Sequence, residues 1–389
     1  MGPQQAGCPP LSAGPADWRR SGGLKWTFHD DDVLAAWVAE MDFGLAPAVG
    51  VALHDAIERG LTGYPYPEAE EATARAAVGF WANRFGWDVD SAWVFPVPDV
   101  IEGLRRAIVH LTRPGSPVVL HSPVYFPFFS MVERAGRDLI EARSSRDEEG
   151  RYTLNLDAID RALDEGAGCV VLCNPWNPTG RVLSRAELSE LVSMVAGHDA
   201  RIISDEVHSP ITYRDHDHLP VARLDPERVI TVTSASKAWN LPGLKCAQVA
   251  LTAADDREVW SSYYTPDKVG VGTLGLIANA TAYEEGREWL TATMETLEGN
   301  RDLLAEMVAE HLPRAQHTPS EGTYLAWIDL SEYGLEDPGS FLLERGRVAV
   351  TGGEPFGTGA SQFVRFNFAT RPDVLVEMVR RMGEAVSVV

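Results

Sequence analysis

VITVTSASKAWNLPGLK, residues 229–245, joins an apolar, β-branched run to a stretch dense in hydroxyls, amides and cations. Val229–Thr233 reads as a buried strand, and Ser234–Lys245 as the loop at its carboxyl end, where α/β folds gather ligands. Ser234 and Ser236 flank Lys237, and Lys245 follows eight residues on. Hydroxyls and a cation suit a phosphate, while a lysine amine suits a Schiff base with an aldehyde. A surface turn with a stray lysine is the structural alternative for this segment alone. Composition bears on that choice, because only Lys25, Lys237, Lys245 and Lys268 among the 34 basic residues are lysines. A lysine kept in an arginine-rich background is a candidate for what a guanidinium cannot do, act as a neutral amine.

Outward from this stretch, short apolar runs alternate with helix-length amphipathic segments, which predicts βα units around a mainly parallel sheet. Strands are expected at VVL 118–120, CVVLC 169–173, RIIS 201–204, VITVT 229–233 and AQVAL 247–251, and helices at 100–111, 128–135 and 185–196. A helical connection from about 274 to 312 turns near Gly286. TYLAWIDL 323–330, GRVAVT 346–351 and QFVRFNF 362–368 return to strands with alternating faces, which predicts a smaller α+β domain.

Two other strand ends carry chemistry. LCNPWNPTG 172–180 supplies Asn177, an amide donor for a phenolate oxygen, and ISDEVHSP 203–210 supplies Asp205, a strand-end carboxylate that burial obliges to find a cation. A protonated pyridine nitrogen is such a cation. Tyr125, in HSPVYFPFF, can stack on a ring face. Singly, each has a bland reading: an Asn-Pro turn, a cap, a packed aromatic. In this order and together they point to one cofactor site.

The 389 residues are 45% hydrophobic, enough for one or two cores, and the net charge of −22 disfavours nucleic acid and anionic membranes as partners. No run approaches the roughly 20 apolar residues of a membrane span, and four cysteines make no disulfide framework, so a reduced cytoplasm is expected. Residues 1–23 read as a flexible Gly/Pro-rich arm, and the acidic runs HDDD and RDEEG as solvated loops. His216 with His218, and Cys169 with Cys173, lack further ligands at useful spacing, so no metal is expected.

The set resembles the pyridoxal 5′-phosphate (PLP) enzymes of the class I/II aminotransferase superfamily, fold type I. Within it the chain is most similar to the MalY/PatB-type cystathionine β-lyases, through LKW 24–26, WVAEMDF 37–43, SPVYFPF 122–128, CNPWNPTG, SDEVH, SKAWNLPGLK, EGTYLAWID 321–329 and VRFNFA 364–369. The resemblance implies a large PLP-binding domain, 61–312, with a mainly parallel seven-stranded sheet flanked by helices, and a small α+β domain from 24–60 and 313–389. It implies that Lys237 forms the cofactor imine, Asp205 pairs with the pyridine nitrogen, Tyr125 stacks on the ring, and Asn177 and His208 lie near the phenolate oxygen. Val100, Ile101, Ser234, Ser236 and Lys245 would meet the phosphate, with Tyr64 of a second subunit in a homodimer of shared sites. Arg365, with Asn177 and Glu40, would bind substrate. The implied activity is a carbon–sulfur β-lyase giving a thiol, pyruvate and ammonia from cystathionine or a cysteine S-conjugate. Its alternatives are an aminotransferase, or a decarboxylating or deaminating relative in secondary metabolism.

Some positions depart from the family pattern. Glu40 stands where aspartate is usual, His208 where the wider fold often has tyrosine, and Lys245 where many relatives have arginine. Asp99 replaces the glycine before the phosphate-binding helix, where a carboxylate competes with phosphate for the helix amino terminus. With Glu102 it also matches a capping box. Trp37, Trp176 and Trp239 are read either as a lining for a bulky S-conjugate or as core. GVGTLG 270–275 satisfies G-x-G-x-x-G, but the preceding YYTPDKV is no buried strand, so it reads as a loop near a dimer interface.

Overall fold

The apolar runs between Val94 and Leu251 become neighbouring strands of one sheet, seen in a computed structural model that describes residues 13–263 and 270–388. The strands are β1 (Val94–Val97), β2 (Val118–Ser122), β3 (Leu139–Arg143), β4 (Cys169–Cys173), β5 (Arg201–Asp205), β6 (Val229–Thr233) and β7 (Ala247–Leu251). Their order is β1-β7-β6-β5-β4-β2-β3, parallel except for β7, which runs against both its neighbours. Every residue of β2, β4, β6 and β7 is buried, as expected of strands covered on both faces. Alternate residues feed two apolar layers: Val118, Leu120, Val171, Ile203 and Val232 enter one, and Val119, Val170, Leu172 and Ile202 the other.

Helices α1 (Pro47–Glu58), α2 (Pro67–Phe85), α3 (Val100–Leu111), α4 (Thr273–Glu285), α5 (Arg287–His311) and α6 (Pro372–Val386) bear most on the site. α3 lies so close to the sheet that a Cβ on its Gly103 would stand 2.8 Å from Val232 Cγ1. α4 packs on α1 and α2, and α5 on α6. A second, antiparallel sheet has the order β8 (Gln316–His317), β9 (Leu325–Asp329), β11 (Phe363–Asn367), β10 (Thr351–Gly352).

Several elements differ from the sequence reading. β3, LIEAR, is an edge strand with half-exposed residues, so its apolar signal is weak. β1 carries Pro96, which an edge strand accommodates. GRVAVT divides, because Val348–Ala349 pairs with Leu34–Ala35 while Thr351–Gly352 joins the small sheet. Within the expected arm, residues 1–12 lie outside the described residues, and Pro15–Ser21 forms a helix whose Trp18 ring sits 4.9 Å from Trp26. The HDDD run is partly paired, since Asp30 and Asp32 both hold Arg347.

Candidate active site

Because β4, β5 and β6 are adjacent and parallel, their carboxyl-end loops meet. Register sets Asp205 beside Cys173 of β4 and Val232 of β6. A cavity of about 290 Å³ opens over these ends and the first turn of α3. Its lining brings together Tyr125, Asn177, Asp205, His208, Ser234, Ser236, Lys237 and Lys245, with Val100 and Ile101 of α3. Tyr64, Glu40 and Arg365 stand outside that lining.

Lys237 Nζ donates to the Ala39 carbonyl at 3.1 Å. Burial, with Arg365 nearby, lowers its pKa to about 8. Asp205 moves the other way: burial raises it to about 7, although Val207 N donates to Oδ1 at 3.0 Å. Among the described residues no cation forms an ion pair with it. His208 is held well below the usual imidazole range by burial, and its Nδ1 has no hydrogen-bond partner. Burial also raises Tyr125. A carboxylate without a cation, an imidazole nitrogen without a partner, a reactive amine and a helix amino terminus around one cavity fit a cationic heteroaromatic aldehyde bearing a phosphate.

At the opposite end, Ser234 Oγ donates to the Cys246 carbonyl at 2.7 Å and accepts from Ser236 N at 2.9 Å, so this hydroxyl shapes the loop. Asp99 caps α3, its Oδ1 accepting from Glu102 N at 2.9 Å, while Oδ2 lies 3.0 Å from Lys245 Nζ. Only half of the expected capping box forms. Glu102 turns instead to Arg105 and Arg106, which lower it to about 2.

The residues that pattern reading missed hold the irregular segment Trp37–Asp42. Its carbonyls accept from side chains in succession: Trp37 from Thr351 Oγ1 and Arg365, Val38 from Asn367, Ala39 from Lys237 and Tyr324, Glu40 from Lys25 and Asn367, and Met41 from Asn240. Asn240 also accepts from Met41 N at 2.9 Å, and the buried Asp42 carboxylate holds Lys25 Nζ and Trp26 Nε1. The blocks LKW, AEMD and KAWN contain these partners, yet spacing alone does not reveal that they meet. Arg365 is buried without a carboxylate; it reaches Asn177 Oδ1 at 3.2 Å and the Trp37 carbonyl at 2.9 Å, its Nε is unpartnered, and burial lowers it to about 10.

Trp176 and Trp239 prove to be core rather than lining: both are fully buried, donating to the Pro123 and Gly286 carbonyls. Trp37 is half-buried against Phe28 and His29. GVGTLG serves packing, since Gly272 precedes α4 and a Cβ on Gly275 would come within 2.2 Å of the Leu244 carbonyl. Residues 264–269 before it lie outside the described residues. Tyr64 is 89% exposed. Among the described residues no group of three or more His, Cys, Asp or Glu side chains is placed to hold a metal, and no helix is long and apolar enough to cross a membrane.

Comparison with known proteins agrees with this geometry. The chain is 38% identical over 364 residues to a cystathionine beta-lyase of Corynebacterium glutamicum, covering 92% of this chain and 95% of that one. It is 30% identical to the cystathionine beta-lyase PatB of Bacillus subtilis over 95% and 96% of the two chains. The solved PLP-bound C-S lyase of Staphylococcus hominis superposes with a TM-score of 0.88 at 26% identity, over 95% of this chain and 96% of that one. Residues 37–382 match aminotransferase class I and II, and with a mostly parallel sheet, a buried lysine and a strand-end carboxylate lining one cavity, the chain belongs to that family.

Proposed function

We propose that the protein is a PLP-dependent carbon–sulfur β-lyase that cleaves cystathionine or a cysteine S-conjugate to a thiol, pyruvate and ammonia. The observation that carries this is near-full-length similarity to a cystathionine beta-lyase, 38% identical, in a chain whose cavity holds Lys237, Asp205 and Tyr125 together. PLP, when bound, supplies an electron sink for the bond broken at the substrate Cα.

The chain's own residues do the rest. In this reading residues 61–312 hold the cofactor, and 24–60 with 313–389 supply Arg365 and the Trp37–Asp42 wall. Lys237 attaches the cofactor and, once free, its Nζ removes the proton from the substrate Cα, for which a pKa lowered to about 8 leaves a usable fraction neutral. Asp205 keeps the pyridine nitrogen protonated and gains the cation it lacks. Asn177 and His208 would hold the phenolate oxygen of the cofactor, and Tyr125 would pack against its ring. Val100 and Ile101 offer N–H groups that have no intrahelical acceptor, and with Ser234, Ser236 and Lys245 they hold the phosphate. Arg365 grips the substrate α-carboxylate, its guanidinium fork fixed by Asn177 and Trp37, and Glu40, whose charge acts on Lys237, is on the same wall. That grip sets which Cα bond faces the ring.

A homodimer completes the site. Exposed Val51, Ile57 and Tyr64 support a second copy seated on α1, with Tyr64 reaching its partner's phosphate. Buried free thiols at Cys169, Cys173 and Cys246 accord with a reduced cytoplasm. The test offers holoenzyme cystathionine, a bulky cysteine S-conjugate, and an amino donor with a keto acid in parallel. Thiol and pyruvate in equal amounts are expected from a sulfur substrate; transamination without them would replace the lyase reading.

A further inference from the structure

Asp99 stands where the site would receive an anion. In the proposed function the phosphate meets the amino terminus of α3 and the Lys245 ammonium, and Asp99 touches both. Its Oδ1 takes the Glu102 N–H at 2.9 Å and its Oδ2 pairs with Lys245 Nζ at 3.0 Å. The other carboxylate on this turn, Glu102, is held by Arg105 and Arg106 and offers no competition to Lys245. Arg134 lines the same cavity with its side chain out toward solvent. The cationic features for a phosphate are present, but one carboxylate already neutralises them.

We propose that Asp99 is a resident anion that competes with the cofactor's phosphate and loosens cofactor binding through that group alone. The inference rests on the PLP reading above. The pair itself is worth little, since its side chains are 38% and 59% exposed. What matters is the negative charge that remains beside an incoming dianion. Asp99→Asn removes that charge while keeping a side-chain oxygen for the Glu102 N–H, so the helix cap survives. Asp99→Ser, a neutral cap of another shape, checks that charge rather than the amide is responsible.

Apoprotein is dialysed to equilibrium against PLP and, separately, against pyridoxal, which lacks the phosphate. Both variants are expected to bind PLP roughly tenfold more tightly than the parent, an effect of about 1.4 kcal/mol, with pyridoxal binding unchanged. PLP affinity that is equal or weaker in both variants, or a gain shared equally by pyridoxal, overturns the inference. Parent protein that takes up no PLP at all would instead overturn the proposed function.

Discussion

The cavity at the strand ends and the Trp37–Asp42 wall are neighbours, joined at the Lys237 Nζ to Ala39 carbonyl hydrogen bond, yet they are built in opposite ways. Around the cavity, regular strands and a helix start aim side chains inward, and the backbone is satisfied within the sheet. In the wall the backbone is irregular and its carbonyls point at side chains from Lys25 to Asn367. The cavity keeps its reactive groups short of partners, with Asp205 raised and Lys237 lowered by burial. The wall leaves little unsatisfied. In the proposed mechanism one region carries the chemistry and the other orients it.

The largest break in this comparison is on the cavity side. Lys237→Ala holoenzyme, supplied with PLP, is expected to lose turnover by about 10⁴-fold or more, because in the proposed mechanism the same amine attaches the cofactor and moves the proton. Steady-state thiol release measures it, and full turnover in the variant would remove Lys237 from the mechanism. The wall should be undisturbed, since Ala39 keeps Tyr324 as a donor.

Asp205 gives the next effect, and its sign separates chemistry from stability. Burial lifts its pKa from the ordinary 3.8 to about 7 in the cofactor-free protein. Below about pH 3 the carboxyl is protonated whether the chain is folded or not. As pH rises toward 7 the unfolded chain ionises first, so stability is lost across that window, by roughly 4 kcal/mol at most, and no further above it. Apo Asp205→Asn is therefore expected to melt higher than apo wild type at pH 8, with the gap shrinking toward pH 4. PLP should reverse the ranking by supplying the missing cation. Thermal melts at pH 4.5 and 8 check this, and a gap independent of pH would show that Asp205 does not titrate in that range.

The same contrast explains what the sequence made legible. β4, β6, β7, α3 and the helix Arg185–Ala196 fall where periodicity places them, because two-sided burial writes a continuous apolar run and a helix face writes a 3.6-residue repeat. Lys237, Asp205 and Asn177 were legible as polar residues closing such runs. β3 was not, since its edge position relaxes the pattern, and neither was the divided strand after Arg347, whose two halves answer to different partners. The wall was least legible of all. Asn240 meets Met41 across 199 residues, and nothing in either local stretch records the meeting.

Asn240 therefore offers the smallest and sharpest cut, because it joins the lysine loop to the wall by a donor and an acceptor on one amide, at 2.9 Å each. Its φ of 58° lies in the left-handed region, which glycine adopts without strain. Asn240→Gly thus removes the two hydrogen bonds while leaving the backbone its conformation, at an expected cost of about 1–2 kcal/mol of stability. Asn240→Ala adds the left-handed penalty, roughly 1 kcal/mol more. If the wall fixes where the Lys237 amine points, kcat/KM in the glycine variant should fall about tenfold while PLP uptake by the apoprotein stays at the wild-type level. Uptake that fell in step with kcat/KM would mean that the wall shapes the cofactor cavity as well, and that the two regions form a single unit.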